Sequence, residues 1–331
     1  MKPKSIQSLL AVALLAPGAL FAQTTATTTP VGYVTQTVRP NIANLIGINL
    51  HNAAVSSGVI DSSTSTSITD TGVNFTSLLT SGKTYILEIS GASDNGVIQE
   101  VVTWSGSTLT TTTNLTPFIT NGTTTYKLRE APTISSIFGP NNSFGLTPST
   151  DGDTTACDTI LVLNAAGDAF VTCFYYDDGT TQAWYDLDFN DVTNLPLIYA
   201  DSLYVSRVAG VDKNIVISGE VKTTKTNLAL AAGNNFVGSV YPAGSTFGNS
   251  GLSLSLSPST DGDTAVADTV LLPQSDGSYR TCFYFDDGAT QSWYDLDFND
   301  LTNVPLTPGL VIQNKGASKN AVLTPPTSYN Q

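Results

Sequence analysis

Trp184-Tyr185-Asp186-Leu187-Asp188-Phe189-Asn190-Asp191 occurs twice in this chain, returning unchanged from Trp293 to Asp300. An identical octapeptide in 331 residues is an internal duplication, and a duplication decides the architecture before any single element is assigned. Reading outward, Thr172-Cys173-Phe174-Tyr175-Tyr176-Asp177-Asp178-Gly179 precedes the first copy. Thr281-Cys282-Phe283-Tyr284-Phe285-Asp286-Asp287-Gly288 precedes the second. Further upstream, Pro148-Ser149-Thr150-Asp151-Gly152-Asp153-Thr154 matches Pro258-Ser259-Thr260-Asp261-Gly262-Asp263-Thr264, and Phe138-Gly139 matches Phe247-Gly248. Downstream, Gly210, Lys213 and Asn214 match Gly316, Lys319 and Asn320. At the start of each unit, Gly32-Tyr33-Val34, Asn41-Ile42-Ala43, Gly47 and Asn49-Leu50 read as copies of Gly219-Glu220-Val221, Asn227-Leu228-Ala229, Gly233 and Asn235-Phe236.

In the second copy Asn235 is followed closely by Phe247, whereas Asn49 and Phe138 lie far apart. The extra material is an insertion. The chain therefore divides into repeat 1 (31–57 plus 131–217), an inserted small β domain (58–130) and repeat 2 (218–331). Within the insertion, Tyr85 to Ile89 and Val97 to Trp104 are strand-like and meet at Asp94-Asn95-Gly96, a hairpin-turn signal. Thr108 to Thr113 and Thr125 to Arg129 supply further strands, and the short strands and tight turns suggest a barrel-like unit. Apolar residues nowhere recur at helical spacing in the mature chain, and Ser, Thr, Asn and Gly abound. The expected class is all-β: two tandem β-sandwich-like lobes, the first carrying the inserted β-barrel-like domain.

Lys2 and Lys4, the apolar run Leu9 to Ala16 and a cleavage position at Ala22 read as a signal peptide over residues 1–22. A Thr-rich linker (23–30) follows, and the expected location is periplasmic, cell-surface or extracellular. No second apolar stretch is long enough to span a bilayer. Removing the leader leaves 11 bases against 27 acids, a net charge of −16, which repels nucleic acid and anionic lipid and leaves cations, neutral glycans or other surface proteins as partners. Nothing in the sequence sets the oligomeric state.

The order of short motifs resembles a family of uncharacterised exported all-β proteins that occurs as multiple paralogues in verrucomicrobial bacteria. The residues that carry it are Thr29-Pro30-Val31-Gly32-Tyr33-Val34 after a leader, Gly47 to Leu50, Phe138-Gly139, Gly219-Glu220-Val221-Lys222 and the two Trp segments. The resemblance implies export and one continuous architecture, and it carries over no activity, cofactor or catalytic residue.

Eighteen of the 27 acids fall in residues 151–191 and 261–300, where Arg280 is the lone base. Asp151, Asp153 and Asp158, with Asp261, Asp263 and Asp268, sit in Gly-containing loops. Hard oxygen ligands on loops suit Ca²⁺, although the spacing is not that of an EF-hand. The alternative is turn carboxylates that cap backbone amides. Alternation along the repeated octapeptide places Tyr185, Leu187 and Phe189 on one face and Trp184, Asp186, Asp188 and Asn190 on the other. The second copy divides likewise, with Trp293, Asp295, Asp297 and Asn299 opposite Tyr294, Leu296 and Phe298. If the first set faces the core, each Trp lies beside carboxylates and an amide, an arrangement that suits a sugar ring. The other reading packs both Trp side chains under a neighbouring loop or at the lobe interface. Cys157 and Cys173 flank a hairpin turn at Ala165 to Asp168 and are candidates for a disulfide or, equally, for buried free thiols. The single His, His51, follows an apolar run and reads as an ordinary strand residue. No nucleophile elbow, zinc cluster or distinguished carboxylate pair marks an enzyme. The expectation is a non-catalytic exported structural or interaction protein. A polysaccharide-binding protein using the Trp/Asp faces is the alternative, and a glycan-active hydrolase stands third.

Overall fold

The computed structural model describes residues 29–91, 96–164 and 166–329, so the expected leader, most of the expected linker, and Asp94, Asn95 and Ala165 of the two expected turns lie outside the described residues. The chain is nearly all β. The first lobe opens with β1 (Val31–Val38) and β2 (Ala43–Gly47). The insertion begins a few residues before the expected position 58, because β3 pairs with β10, and contributes β3 (Ala54–Val59), β4 (Ser62–Ser63), β5 (Ser67–Thr69), β6 (Tyr85–Ser90), β7 (Ile98–Glu100), β8 (Thr103–Ser105), β9 (Thr108–Thr110) and β10 (Thr125–Glu130). The first lobe resumes with β11 (Thr159–Leu163), β12 (Phe170–Asp177), β13 (Gln182–Asp186), β14 (Ser202–Ser206) and β15 (Lys213–Glu220). The second lobe follows as β16 (Thr226–Leu230), β17 (Gly233–Gly238), β18 (Thr269–Pro273), β19 (Tyr279–Asp286), β20 (Gln291–Asp295), β21 (Gly309–Asn314) and β22 (Lys319–Leu323).

The two lobes repeat strand for strand. A five-stranded sheet in the order β13-β12-β11-β14-β2 is matched by β20-β19-β18-β21-β17, and the ribbon β1-β15 is matched by β16-β22. All of these pairs are antiparallel. The ladders correct the match read at the start of each unit. Val38 faces Lys213 and Leu230 faces Lys319, so β1 corresponds to β16. Asn44, not Asn49, is the counterpart of Asn235. Asn44 accepts from the Arg39 amide at 2.8 Å and donates to Val205 O at 3.1 Å. Asn235 accepts from the Ala231 amide at 2.8 Å and donates to Ile312 O at 3.2 Å. Gly32 and Gly219, which look like copies, sit opposite each other in the β1–β15 ladder.

The lobes meet through their edge strands. A Cβ on Gly47 of β2 would lie 1.9 Å from Pro308 O, and one on the equivalent Gly238 of β17 would lie 2.6 Å from Tyr199 O. Only glycine permits this backbone approach. The Gly238 amide donates to Ala200 O at 2.9 Å, and one apolar core runs through both lobes.

The insertion has its own core, which includes Ile68, Phe75, Leu87, Leu109 and Leu128. Its strands form two four-stranded sheets, β3-β10-β6-β7 and β4-β5-β9-β8, and no described ladder closes them into a barrel. The reason lies in the segment expected to be one strand, Val97 to Trp104. It breaks at Val101 and Val102, leaving β7 in one sheet and β8 in the other, a corner between sheets in place of closure.

A buried charged junction fastens the insertion to the first lobe. Arg129 on β10 reaches Glu88 Oε1 at 3.0 Å, Glu220 Oε2 at 2.5 Å and Asn52 O at 2.6 Å, while Tyr199 Oη donates to Glu88 Oε1 at 2.9 Å. Burial pushes the Glu88 carboxyl up, but the charges of Lys222 and Arg129 outweigh it and hold the group below its ordinary range. His51 packs against Tyr199 with ring centroids 4.2 Å apart and the rings tilted by 57°. Both its ring nitrogens are buried and make no hydrogen bond. Burial lowers its pKa to about 3, so the ring is neutral.

Candidate functional site: two aromatic–acidic faces

β13 and β20 end at Asp186 and Asp295, and the chain turns back where continued alternation was expected. The carboxylate causes the turn. Asp186 Oδ1 accepts from the amides of Asp188 at 2.9 Å and Asn190 at 2.8 Å, and Oδ2 accepts from Asn190 Nδ2 at 2.9 Å. Asp295 makes the same set with Asp297 at 3.1 Å and with Asn299 at 2.9, 3.1 and 3.0 Å. The bond from Asn190 holds the Asp186 carboxyl below the usual carboxylate range. Around Asp295, burial opposes but the bonds from Asn299 and Arg280 prevail, and its pKa falls to about 2.

The turn forces Phe189 and Phe298 into the left-handed region, both at φ 59°, where a bulky side chain is a genuine outlier. Their rings emerge half-exposed, at 50% and 53%, beside Leu187 and Leu296, each 58% exposed. The two faces of the octapeptide are therefore the reverse of those expected. Trp184 and Trp293 are 0% and 1% exposed and belong to the core. Trp184 packs on Tyr175 and Phe138 at 5.1 and 6.1 Å, and its Nε1–H donates to Gly139 O at 2.9 Å. Trp293 packs on Phe247 and Tyr284 at 4.8 and 5.5 Å. Alternation fixes which residues share a face but not which face is buried. The indole fills more core volume than any ring in the segment, and it took the inside.

What replaces the expected Trp surface is a cluster of rings. Phe189 touches Phe174, Tyr176 and Tyr185 at centroid distances of 5.8, 5.8 and 5.6 Å. Phe298 touches Phe283, Phe285 and Tyr294 at 5.8, 6.3 and 5.7 Å. Each Phe ring lies over the glycine of an Asp-Gly-Asp loop. A Cβ on Gly152 or on Gly262 would come within 2.6 Å of the ring, and both glycines are themselves left-handed, at φ 89° and 91°. Sequence reasoning missed Leu187, Phe189, Leu296 and Phe298. The signal that could have found them is the density of Asp and Asn in Asp-Leu-Asp-Phe-Asn-Asp, which marks a turn and not the body of a strand.

The six loop carboxylates considered as metal ligands are not gathered at one point. Asp151 accepts from the Asp153 amide at 2.9 Å, and Asp153 from the Thr155 amide at 2.8 Å. Asp261 and Asp263 repeat this with Asp263 and Ala265, at 2.9 and 2.8 Å. Asp158 and Asp268 are fully buried clamps. Asp158 binds the amides of Thr147 and Val208 at 2.9 and 2.8 Å and pairs with Arg207 at 3.3 Å. Asp268 binds the amides of Ser257 and Lys315 at 2.7 and 2.8 Å and pairs with Lys319. Among the described residues no three His, Cys, Asp or Glu side chains converge as a metal site would require. The exposed Asp188, Asn190, Asp297 and Asn299 rim the faces.

All three cysteines are free and buried, so of the two readings of Cys157 and Cys173 the structure has the buried thiols and not the disulfide. Cys173 lies opposite Ile160, three residues beyond Cys157. At about 3.3 Å per residue that offset exceeds the reach of a disulfide. No helix among the described residues is long and apolar enough to cross a membrane.

Each face thus offers an aromatic surface with carboxylate and amide acceptors at its edge, and it does so twice. No known protein family, curated protein or solved structure matches the chain.

Proposed function

We propose that this is a non-catalytic exported structural or interaction protein of the cell surface or extracellular matrix, and that its two aromatic–acidic faces are its contact surfaces. The observation that carries the reading is the half-exposed Phe189 and Phe298, held at the same left-handed φ over the same glycine in both lobes. A bulky residue in that conformation costs about 1–3 kcal/mol, and leaving its ring in water forgoes burial as well. A fold has no reason of its own to keep that cost twice at the surface. Export rests on the leader-like residues 1–22. Retention of the chain on cell-envelope particles, measured by sedimentation, tests the reading. Phe189→Ala and Phe298→Ala each weaken retention, and the double variant abolishes it with the melting temperature nearly unchanged. Full retention by the double variant overturns it.

A second reading, polysaccharide binding, is favoured by the same rings. Tyr185 beside Phe189, and Tyr294 beside Phe298, pair aromatic surface with Asp and Asn acceptors. Trp184 and Trp293 play no part in it. A glycan array read with and without Ca²⁺ separates the two. Specific glycan retention that Phe189→Ala and Phe298→Ala both reduce selects the second reading. An empty array alongside envelope retention selects the first.

A further inference from the structure

The strongest departure from the duplication lies at the junction of the three units. There a cleft opens in two chambers, each of about 410 Å³, that share Glu100, Ile198 and Asp201. One chamber lies between β7 of the insertion and β16 and β17 of the second lobe. The other lies between Glu100 and strands β11 and β14 of the first lobe. No Lys, Arg or His lines either chamber, and Asp201 and Glu100 are the carboxylates where they meet.

Asp201 combines three properties. Its backbone bridges the lobes, pairing with Val237. Its carboxyl makes no hydrogen bond or ion pair, unlike Asp158 and Asp268, which collect amides and cations. Burial alone raises its pKa to about 7. The repeat also breaks here. Ser202 faces Gly47 as Gly309 faces Gly238, so the position equivalent to Asp201 is Pro308. The equivalent edge between the lobes carries a smaller pocket of about 250 Å³, lined by Thr35 to Thr37, Ile46, Thr307 and Pro308. Of the two, the larger alone takes a third wall from the insertion, and the duplicated scaffold carries a carboxylate where that wall faces it. The side chain is part-exposed to the cleft, and a carboxylate that has lost part of its hydration without gaining a partner favours a ligand that supplies one. Apolar walls such as Ile98, Ile198, Leu228 and Val237 add shape for the body of a ligand.

We propose that this junction cleft is a binding site for a small organic cation, with its ammonium on Asp201 and its apolar body between the insertion and the second lobe. A cation satisfies the unpartnered carboxylate by a charge-assisted hydrogen bond, and Glu100 adds a second negative charge at the shared edge. Because the ligand touches all three units, its binding also locks the insertion against the lobes.

Benzylamine serves as the probe, with benzyl alcohol and benzoate as controls of nearly the same shape. Binding is followed by thermal shift and by amide chemical shifts of Ile98 and Val237. At millimolar concentration and pH 8, benzylamine raises the melting temperature and moves both amides, benzyl alcohol binds about tenfold or more weakly, and benzoate does not bind. Asp201→Asn lowers benzylamine affinity about tenfold or more, to the level of the alcohol. Ile98→Trp fills the chamber and blocks binding with the carboxylate intact. Benzylamine affinity strengthens as pH rises through about 7, since Glu100 is the other titratable group lining the cleft and β11, β14, β16, β17 and β22 bring none to it. Equal binding of amine and alcohol, unchanged affinity in Asp201→Asn, or no binding of benzylamine at all would overturn the proposal.

Discussion

The two lobes are the same fold built twice, and they differ most where the duplicated sequence had freedom to drift without changing the surface. Their aromatic–acidic faces agree in φ, ring contacts and exposure. Their interiors do not. Trp184 has a partner for its N–H in Gly139 O, while Trp293 Nε1 is buried with none. Asp158 is clamped by Arg207 and Asp268 by Lys319. Asp201 faces the insertion in one lobe and Pro308 stands in its place in the other. The outside is held constant while the core solves each packing problem separately, the pattern expected when the exposed face and not the core carries the shared role.

The largest effects test whether the two cores are equivalent. Trp184→Ala and Trp293→Ala each remove the largest buried side chain of their lobe and should cost ~3–5 kcal/mol of stability by denaturant unfolding. Phe in place of Trp separates the lobes. Trp184→Phe strands the Gly139 carbonyl and should cost ~1–2 kcal/mol more than Trp293→Phe, which loses a donor that bonds nothing. Equal costs would mean that the difference in hydrogen bonding carries no energy.

The next effect sharpens the contrast between Asp201 and Pro308. Asp201 has a folded pKa of about 7 against an ordinary 3.8, so the folded state binds more protons between those values. Stability should fall as pH rises through that window, by ~2 kcal/mol, about half the value for a fully dry carboxyl. Asp201→Asn should flatten the slope. A profile unchanged by the substitution would show that water already solvates the group. The glycine seats come third. Gly152→Ala and Gly262→Ala strain a left-handed backbone and displace the Phe ring, and should cost ~1–2 kcal/mol each, equally in the two lobes. A difference between them would break the identity of the faces.

Much of this was legible in the sequence. The octapeptide and the Asp-Gly-Asp loops disclosed the duplication, and the gap between Asn49 and Phe138 disclosed the insertion. What failed did so for physical reasons. Gly32 and Gly219 looked like copies because a strand pair that closes a lobe brings matching small residues face to face. Alternation could not say that Trp184 goes inside, since that depends on Phe138 and Tyr175, distant in sequence or on another strand. It also could not see that Asp186 ends the strand by capturing two amides downstream. Asp201 was invisible altogether. One Asp among 27 acids shows no local pattern, and it matters only because three units fold around it.

The smallest effect concerns the one charged difference at the faces themselves. Arg280 reaches the Asp295 carboxylate, with Nε at 3.0 Å, whereas Val171 occupies the equivalent place beside Asp186. Asp295 is depressed to about 2, so its contribution to stability is complete above the ordinary carboxylate pKa and is lost as pH falls through 2. Asp295 is buried under an Arg280 side chain that is about a third exposed, and its carboxylate keeps the bonds from Asn299, so Arg280→Val should cost only ~1 kcal/mol of stability at pH 7. Its effect should appear chiefly in the titration of the Asp295 carboxyl followed by NMR. That titration should rise toward the behaviour of Asp186, because the bonds from Asn299 remain and the guanidinium does not. If the Asp295 titration stays at about 2 without Arg280, the turn alone sets it, and the two faces are electrostatically as alike as they are in shape.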